Sequence, residues 1–127
     1  MPDLLQLGSD WLEAQRTKHM TRTVIYQRGS MSVEVPATVG RTEFETVDEH
    51  GLVVRTESRD FLVLADHLVL DGERALPKPG DRISEPSGNL EFVYEVMAPA
   101  GEPVYRYSDP YRKALRIHTK LIETNTP

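Results

Sequence analysis

Apolar residues recur at helical spacing over residues 3–19 and alternate with polar ones through most of the chain that follows. In the first segment Leu4, Leu7, Trp11 and Ala14 fall on one side, widened by Leu5 and Leu12, which predicts an N-terminal amphipathic helix. Asp3 with Gln6 three residues on has the form of a capping box, and Ser9 is a second candidate cap. Gly8 within the stripe costs about 1 kcal/mol relative to alanine. The Trp11 side either packs on the body of the domain or docks on a neighbouring subunit.

From residue 21 the period changes to two, and the segments read as strands over 21–121. Residues 21–28 are rich in Thr, Val, Ile and Tyr, which suit a pleated surface. Gly29-Ser30 then fits a type II′ hairpin turn, because glycine takes the first central position. Met31, Val33 and Val35 alternate up to Pro36, which ends the strand or marks an edge. Residues 38–47 read as a further strand, 48–51 as its turn and 52–58 as the return. Residues 60–64 continue it after a bulge near Arg59. Residues 65–80 hold Asp71-Gly72, Pro77, Pro79 and Gly80, so a turn of helix at 65–68 followed by a long loop is expected. Residues 81–85 start a new strand. In the next, Leu90, Phe92, Tyr94 and Val96 alternate with Glu91, Val93 and Glu95. A second irregular stretch covers 98–110. In the last strand, 111–121, Leu115, Ile117, Thr119 and Leu121 face one way, and residues 122–127 form a frayed tail. The chain thus reads as one domain over 1–127, mainly β: a small antiparallel β-barrel or sandwich of about six or seven strands behind one helix.

The chain has 127 residues and no cysteine, which excludes disulfides, thiolate metal sites and a cysteine nucleophile. Fifteen Lys+Arg against twenty Asp+Glu give a formal charge of −5, a poor basis for gripping phosphate. No secretory signal opens it, and no apolar run approaches a membrane span of ~20 residues. An intracellular site of synthesis and no membrane partner are expected.

Candidate chemistry is sparse. His19, His50, His67 and His118 lack metal-ligand spacing with one another. Asp66-His67 reads as a loop pair. His118, between Arg116 and Lys120, sits in a cationic neighbourhood that disfavours a further positive charge. Glu43, Glu45, Asp48, Glu49 and Glu57 read as a solvated acidic face, and carboxylate catalysis there requires a concave pocket with perturbed carboxyls. No serine has a nucleophile-elbow context. The sequence therefore nominates no catalytic, cofactor-binding or metal residue. The late loop is different. Tyr105, Tyr107 and Tyr111 are interleaved with Arg106 and Arg112. Such a set packs under its own loop, meets a protein partner, or stacks on single-stranded nucleic acid.

Pro79-Gly80-Asp81-Arg82-Ile83, then Tyr94-Glu95-Val96 after a polar turn, then the Arg/Tyr loop and Leu115-Arg116-Ile117-His118-Thr119-Lys120 follow one another in the second half. In that order they resemble the small head–tail joining proteins of tailed phages and prophages. The resemblance spans residues 76–121. Many joining proteins start directly with a strand, so the helix expected here leaves the subgroup open: adaptor, stopper or tail-side completion protein. The resemblance implies a non-enzymatic β-barrel protomer without cofactor. Its copies form a ring that joins the portal or its adaptor to the tail and seals or extends the DNA channel. Assembly in the bacterial cytoplasm, then residence in the virion, follows. DNA is then only passing cargo, which a net negative chain does not hold. A ring needs two different complementary surfaces on each copy. Candidates are the hairpin around Met31–Val35, the last strand, the loops at 65–80 and 98–110, and for partner contact Tyr105, Arg106, Tyr107, Arg112 and Trp11. A monomeric module that binds single-stranded nucleic acid or a protein through the Tyr/Arg loop is the competing class.

Overall fold

Alternation of buried and exposed positions organises the computed structural model, whose described residues are 21–126. The helix expected over 3–19, and Trp11 with it, lies outside the described residues. The strands are β1 (Arg22–Arg28), β2 (Met31–Val47), β3 (Val53–Leu64), β4 (Val69–Leu70), β5 (Glu73–Arg74), β6 (Arg82–Ser87), β7 (Leu90–Val96), β8 (Tyr105–Tyr107) and β9 (Ala114–Asn125). Antiparallel neighbours run β3-β2-β1-β6-β7-β9, and β9 pairs back onto β3, so the sheet closes into a barrel. Between residues 59–64 and 114–119 this closure leaves no open sheet edge. The mainly β expectation holds.

Inward positions recur every second residue: Val24 and Tyr26, Val35 and Ala37, Phe61 and Val63, Tyr94 and Val96, Leu115 and Ile117 are all buried. Two charged residues also point inward. Glu85 is buried and receives two hydrogen bonds from Arg59 Nη2, at 2.7 and 2.9 Å, and one from Arg22 at 3.2 Å. The Arg59 guanidinium lies 5.5 Å from the Phe61 ring centre and 5.1 Å from that of Tyr94. The aromatic faces and the carboxylate together hold a cation where apolar packing alone would exclude it.

β7 and β8 lie on the same edge of β9. Val96 is opposite Thr119 and Tyr105 is opposite Ile117. Residues 97–104 are therefore an excursion from one strand line, closed at its neck by Met97 N–H to the His118 carbonyl (3.1 Å) and His118 N–H to the Val104 carbonyl (2.8 Å).

Several boundaries differ from the sequence expectation. β2 runs straight through Pro36, in register with Thr23 of β1. Pairing with β3 begins only at Thr38, so the β3-facing edge is open at the proline, where a strand tolerates it. No bulge interrupts β3 at Arg59, which stands opposite Arg41 in an unbroken register. The stretch 65–80 opens with the expected helical turn, a 3-10 turn at Ala65–His67, but its remainder is not all loop. Asp71 and Gly72 both have positive φ, 53° and 79°, and form the two-residue turn of the β4–β5 hairpin. The stretch 98–110 contains a 3-10 turn at Pro99–Gly101 and β8. The tail is not frayed through to its end: Glu123, Thr124 and Asn125 pair with Val93, Phe92 and Glu91 after a register shift. Polar residues gave that segment no hydrophobic signal; the β7 ladder holds it.

Candidate functional site: an arm at one end and a tyrosine–arginine cluster at the other

β2 and β3 stay paired far beyond the barrel. β2 pairs with β3 from Thr38 to Val47, whereas β3 pairs with β9 only from Arg59 to Leu64. The stretch from residue 41 to 58 is thus a two-stranded arm. At its tip Asp48 Oδ1 accepts hydrogen bonds from the backbone N–H of His50 and Leu52, each 2.9 Å, and Gly51 takes a φ of 80°. The arm has two unlike faces. Thr42, Phe44, Thr46, Val54 and Thr56 carry no charge on one. The other holds Arg41, Glu43, Glu45, Arg55 and Glu57, with Arg55–Glu45 at 3.3 Å and Arg41–Glu57 at 3.9 Å. Val47, Leu52 and Val53 at the tip are 69%, 64% and 62% exposed. The acidic residues of the sequence analysis therefore line a projecting arm, paired in part with arginines.

A buried polar cluster anchors the arm's root. Asp60 accepts from Ser58 Oγ (2.6 Å), His118 Nδ1 (2.9 Å), Arg116 Nη1 (2.8 Å) and the Thr42 hydroxyl. Burial alone pushes the Asp60 carboxyl up; the bonds from His118, Ser58, Thr42 and Arg116 outweigh it and hold the group well below the usual carboxylate range. Gly40 leaves room for Arg116, since a Cβ there would lie 3.2 Å from Arg116 Nη1 and 3.3 Å from Leu62 Cδ1. Phe44 closes over His118 edge-on, at 5.1 Å between ring centres. His118 is thus not in the open cationic setting expected from its strand neighbours, because Asp60 on β3 faces it. Ser, His and Asp meet here, but not as a nucleophilic triad. Ser58 and Asp60 both approach the same ring nitrogen, Nδ1, and all three residues are buried. Sequence reasoning missed this cluster, because its members come from three strands and are joined only by the β2–β3 and β3–β9 registers.

At the far end of the β3 line, Leu64 is opposite Ala114, and the tyrosine–arginine loop lies there. Asp109 shapes it: Oδ1 accepts the N–H of Lys113 (2.9 Å) and Ala114 (2.8 Å), and Oδ2 that of Tyr111 (3.1 Å). Tyr105 and Tyr107 are half-buried against the core, with ring centres 6.1 Å apart at 89°. Arg112, exposed and at a φ of 57°, places its guanidinium 5.8 Å from the Tyr107 ring centre. Tyr105, Tyr107 and Arg112 therefore come together. Arg106 is exposed between the two tyrosines in β8, in register with Arg116. Lys113 lies 5.9 Å from the Tyr111 ring centre.

Tyr105 also borders a groove lined by Arg28, Met31, Leu76 and Lys78. Two of these lining residues are tied to the buried Asp81, which accepts from Arg28 Nη2 (2.8 Å), the Lys78 N–H (3.0 Å) and the Tyr26 hydroxyl. Burial and the neighbouring Asp81 carboxylate push the Tyr26 phenol well above its ordinary value. The Asp81 carboxyl, which burial alone would raise, is held down by Arg28, Tyr26 and the Lys78 N–H. Asp66 and His67 are exposed near this end, with Asp66 3.3 Å from Arg74.

A search of curated proteins finds no match to this chain. The family model described as "Phage head-tail joining protein" matches residues 2–126, the whole barrel included. The chain belongs to the phage head–tail joining protein family, and its role is that of a structural virion component at the junction of head and tail.

Proposed function

We propose that copies of this chain form a ring between the portal, or an adaptor on it, and the tail, and that the ring seals or extends the channel through which DNA passes. The family match over nearly the full chain carries this reading. The geometry supports it: each protomer has an arm at one end of its barrel and a tyrosine–arginine cluster at the other. Two unlike surfaces are what a heterologous, ring-closing contact requires. The net charge of −5 suits a channel that lets DNA slide without gripping its phosphates. Neighbours in this reading are other copies of the chain, portal or adaptor proteins and tail proteins. Assembly precedes in the bacterial cytoplasm, and no cofactor or catalytic step is involved. Tyr105, Arg106, Tyr107 and Arg112 form the contact for one neighbour.

The test is to purify particles carrying an epitope-tagged copy and image them by electron microscopy with gold-labelled antibody. Label at the neck between head and tail is the expected result. Label elsewhere, or particles without the tagged chain, overturns the reading.

A further inference from the structure

Six large apolar side chains are exposed on two segments that run past the β3–β9 closure: Val47, Leu52, Val53 and Val54 on the arm, Leu121 and Ile122 on β9. β3 and β9 pair only between Arg59–Thr119 and Leu64–Ala114. Beyond Arg59 and Thr119 they part, and a cleft there is lined by Thr56 and Ser58 of β3, Thr119 and Lys120 of β9, and Met97 and Pro99 of the excursion. The β9-facing edge of residues 53–58 and the β3-facing edge of residues 120–125 therefore pair with no strand among the described residues. Unpaired backbone N–H and C=O groups flanked by exposed apolar side chains make an edge that recruits another strand.

We propose that these edges pair with each other between copies: residues 53–58 of one arm add, antiparallel, to residues 120–125 of a second copy. Their lengths match. Their charges match in one orientation. Along the arm edge Arg55 precedes Glu57 on one face, and along β9 Lys120 precedes Glu123, brought onto one face by the register shift that sets them opposite Glu95 and Val93. Antiparallel pairing sets Arg55 toward Glu123 and Glu57 toward Lys120, whereas parallel pairing sets like charges together. The two edges are different, so each copy gives one and receives one, and the contact propagates head to tail. A foreign strand on either edge leaves the other open; a closed ring of copies satisfies both on every copy. This pairing deepens the ring reading and rests on it for its setting.

The chain has no cysteine, so introduced thiols report one contact each. Thr56→Cys and Ile122→Cys are made as separate variants, mixed, and oxidised, both as concentrated purified protein and within assembled particles. A covalent dimer is expected in the mixture, with a ladder of higher multimers when both changes are on one chain. Glu34→Cys, on β2 where it pairs with β1, is expected to give no dimer with Ile122→Cys. Arg55→Glu should lower the mixed-dimer yield several-fold, and Glu123→Arg in the partner should restore it. Absence of the mixed dimer in both settings, or a monomeric internal disulfide in the double variant, overturns the pairing. Particles that hold the chain at the neck but give no mixed disulfide overturn the pairing alone. A mixed disulfide from a chain absent from particles overturns the ring reading alone.

Discussion

Replacing Asp60 by alanine removes the one anion in the cluster at the root of the arm. The carboxylate is fully buried and accepts from Ser58, Thr42, Arg116 and His118. Its loss leaves the Arg116 guanidinium, only 21% exposed, without its carboxylate, and the buried His118 Nδ1 without its acceptor. Breaking a buried ion pair by deleting one partner costs about 3–5 kcal/mol. For a chain of this size each kcal/mol lowers Tm by about 3–5 °C, so a fall of about 10–20 °C is expected. Urea titration followed by far-UV circular dichroism, with the slope m unchanged, gives the same quantity as a lower midpoint. A companion Arg116→Ala, alone and combined with Asp60→Ala, should show a coupling of about 1 kcal/mol or more between the two sites. The acid limb supplies a second readout. A carboxyl held below its unfolded pKa of about 4 contributes stability above that pH, lost as pH falls toward the native value. The variant should therefore show a shallower loss of stability below about pH 4. A destabilisation under about 1 kcal/mol, or an unchanged acid limb, refutes the assignment of Asp60 as the anchor of the arm.

Arg28→Ala leaves Asp81 without its guanidinium and the Leu76 carbonyl without its 2.6 Å donor, and thermal unfolding should show a loss of about 2–4 kcal/mol. Because the Tyr26 phenol is held above its unfolded pKa of about 10, the stability of the wild-type chain should fall as pH rises past that value, and Tyr26→Phe should flatten this alkaline limb in denaturation monitored by circular dichroism. Gly40→Leu forces Arg116 off Asp60 and crowds Leu62, with an expected loss of about 1–3 kcal/mol in chemical denaturation, while Gly40→Ala, which needs the flexible guanidinium to shift only slightly, should cost less. Tyr105→Ala with Arg106→Ala should leave the circular dichroism spectrum native-like and abolish incorporation into particles; unimpaired incorporation with an intact fold removes this loop from the contact surface.

The strands of the barrel were legible in the sequence because they obey a period of two. Tyr94 and Val96, or Leu115 and Ile117, name the inward face without reference to a partner. The closure of β9 onto β3 was not legible, since it is a pairing between residues far apart in the chain. The Asp60 cluster depends on that pairing and was hidden with it; the surroundings of His118 read as cationic because only its own strand was in view. The arm was concealed for another reason. Residues 38–47 and 52–58 alternate as ordinary strands do, and alternation alone does not distinguish a hairpin covered on one face from one that projects. The excess of exposed Val47, Leu52 and Val53 near a turn was the available signal. The tyrosine–arginine loop was legible as a cluster, although Tyr105 and Tyr107 turn out half-buried, with Arg106 exposed between them.

The central claim is that this chain joins heads to tails, and the direct measurement is electron microscopy of lysates from cells in which its gene alone is deleted, with and without a complementing copy. DNA-filled heads and finished tails lying unjoined, and joined again on complementation, are the predicted result. Intact tailed particles in the deletion lysate would contradict it.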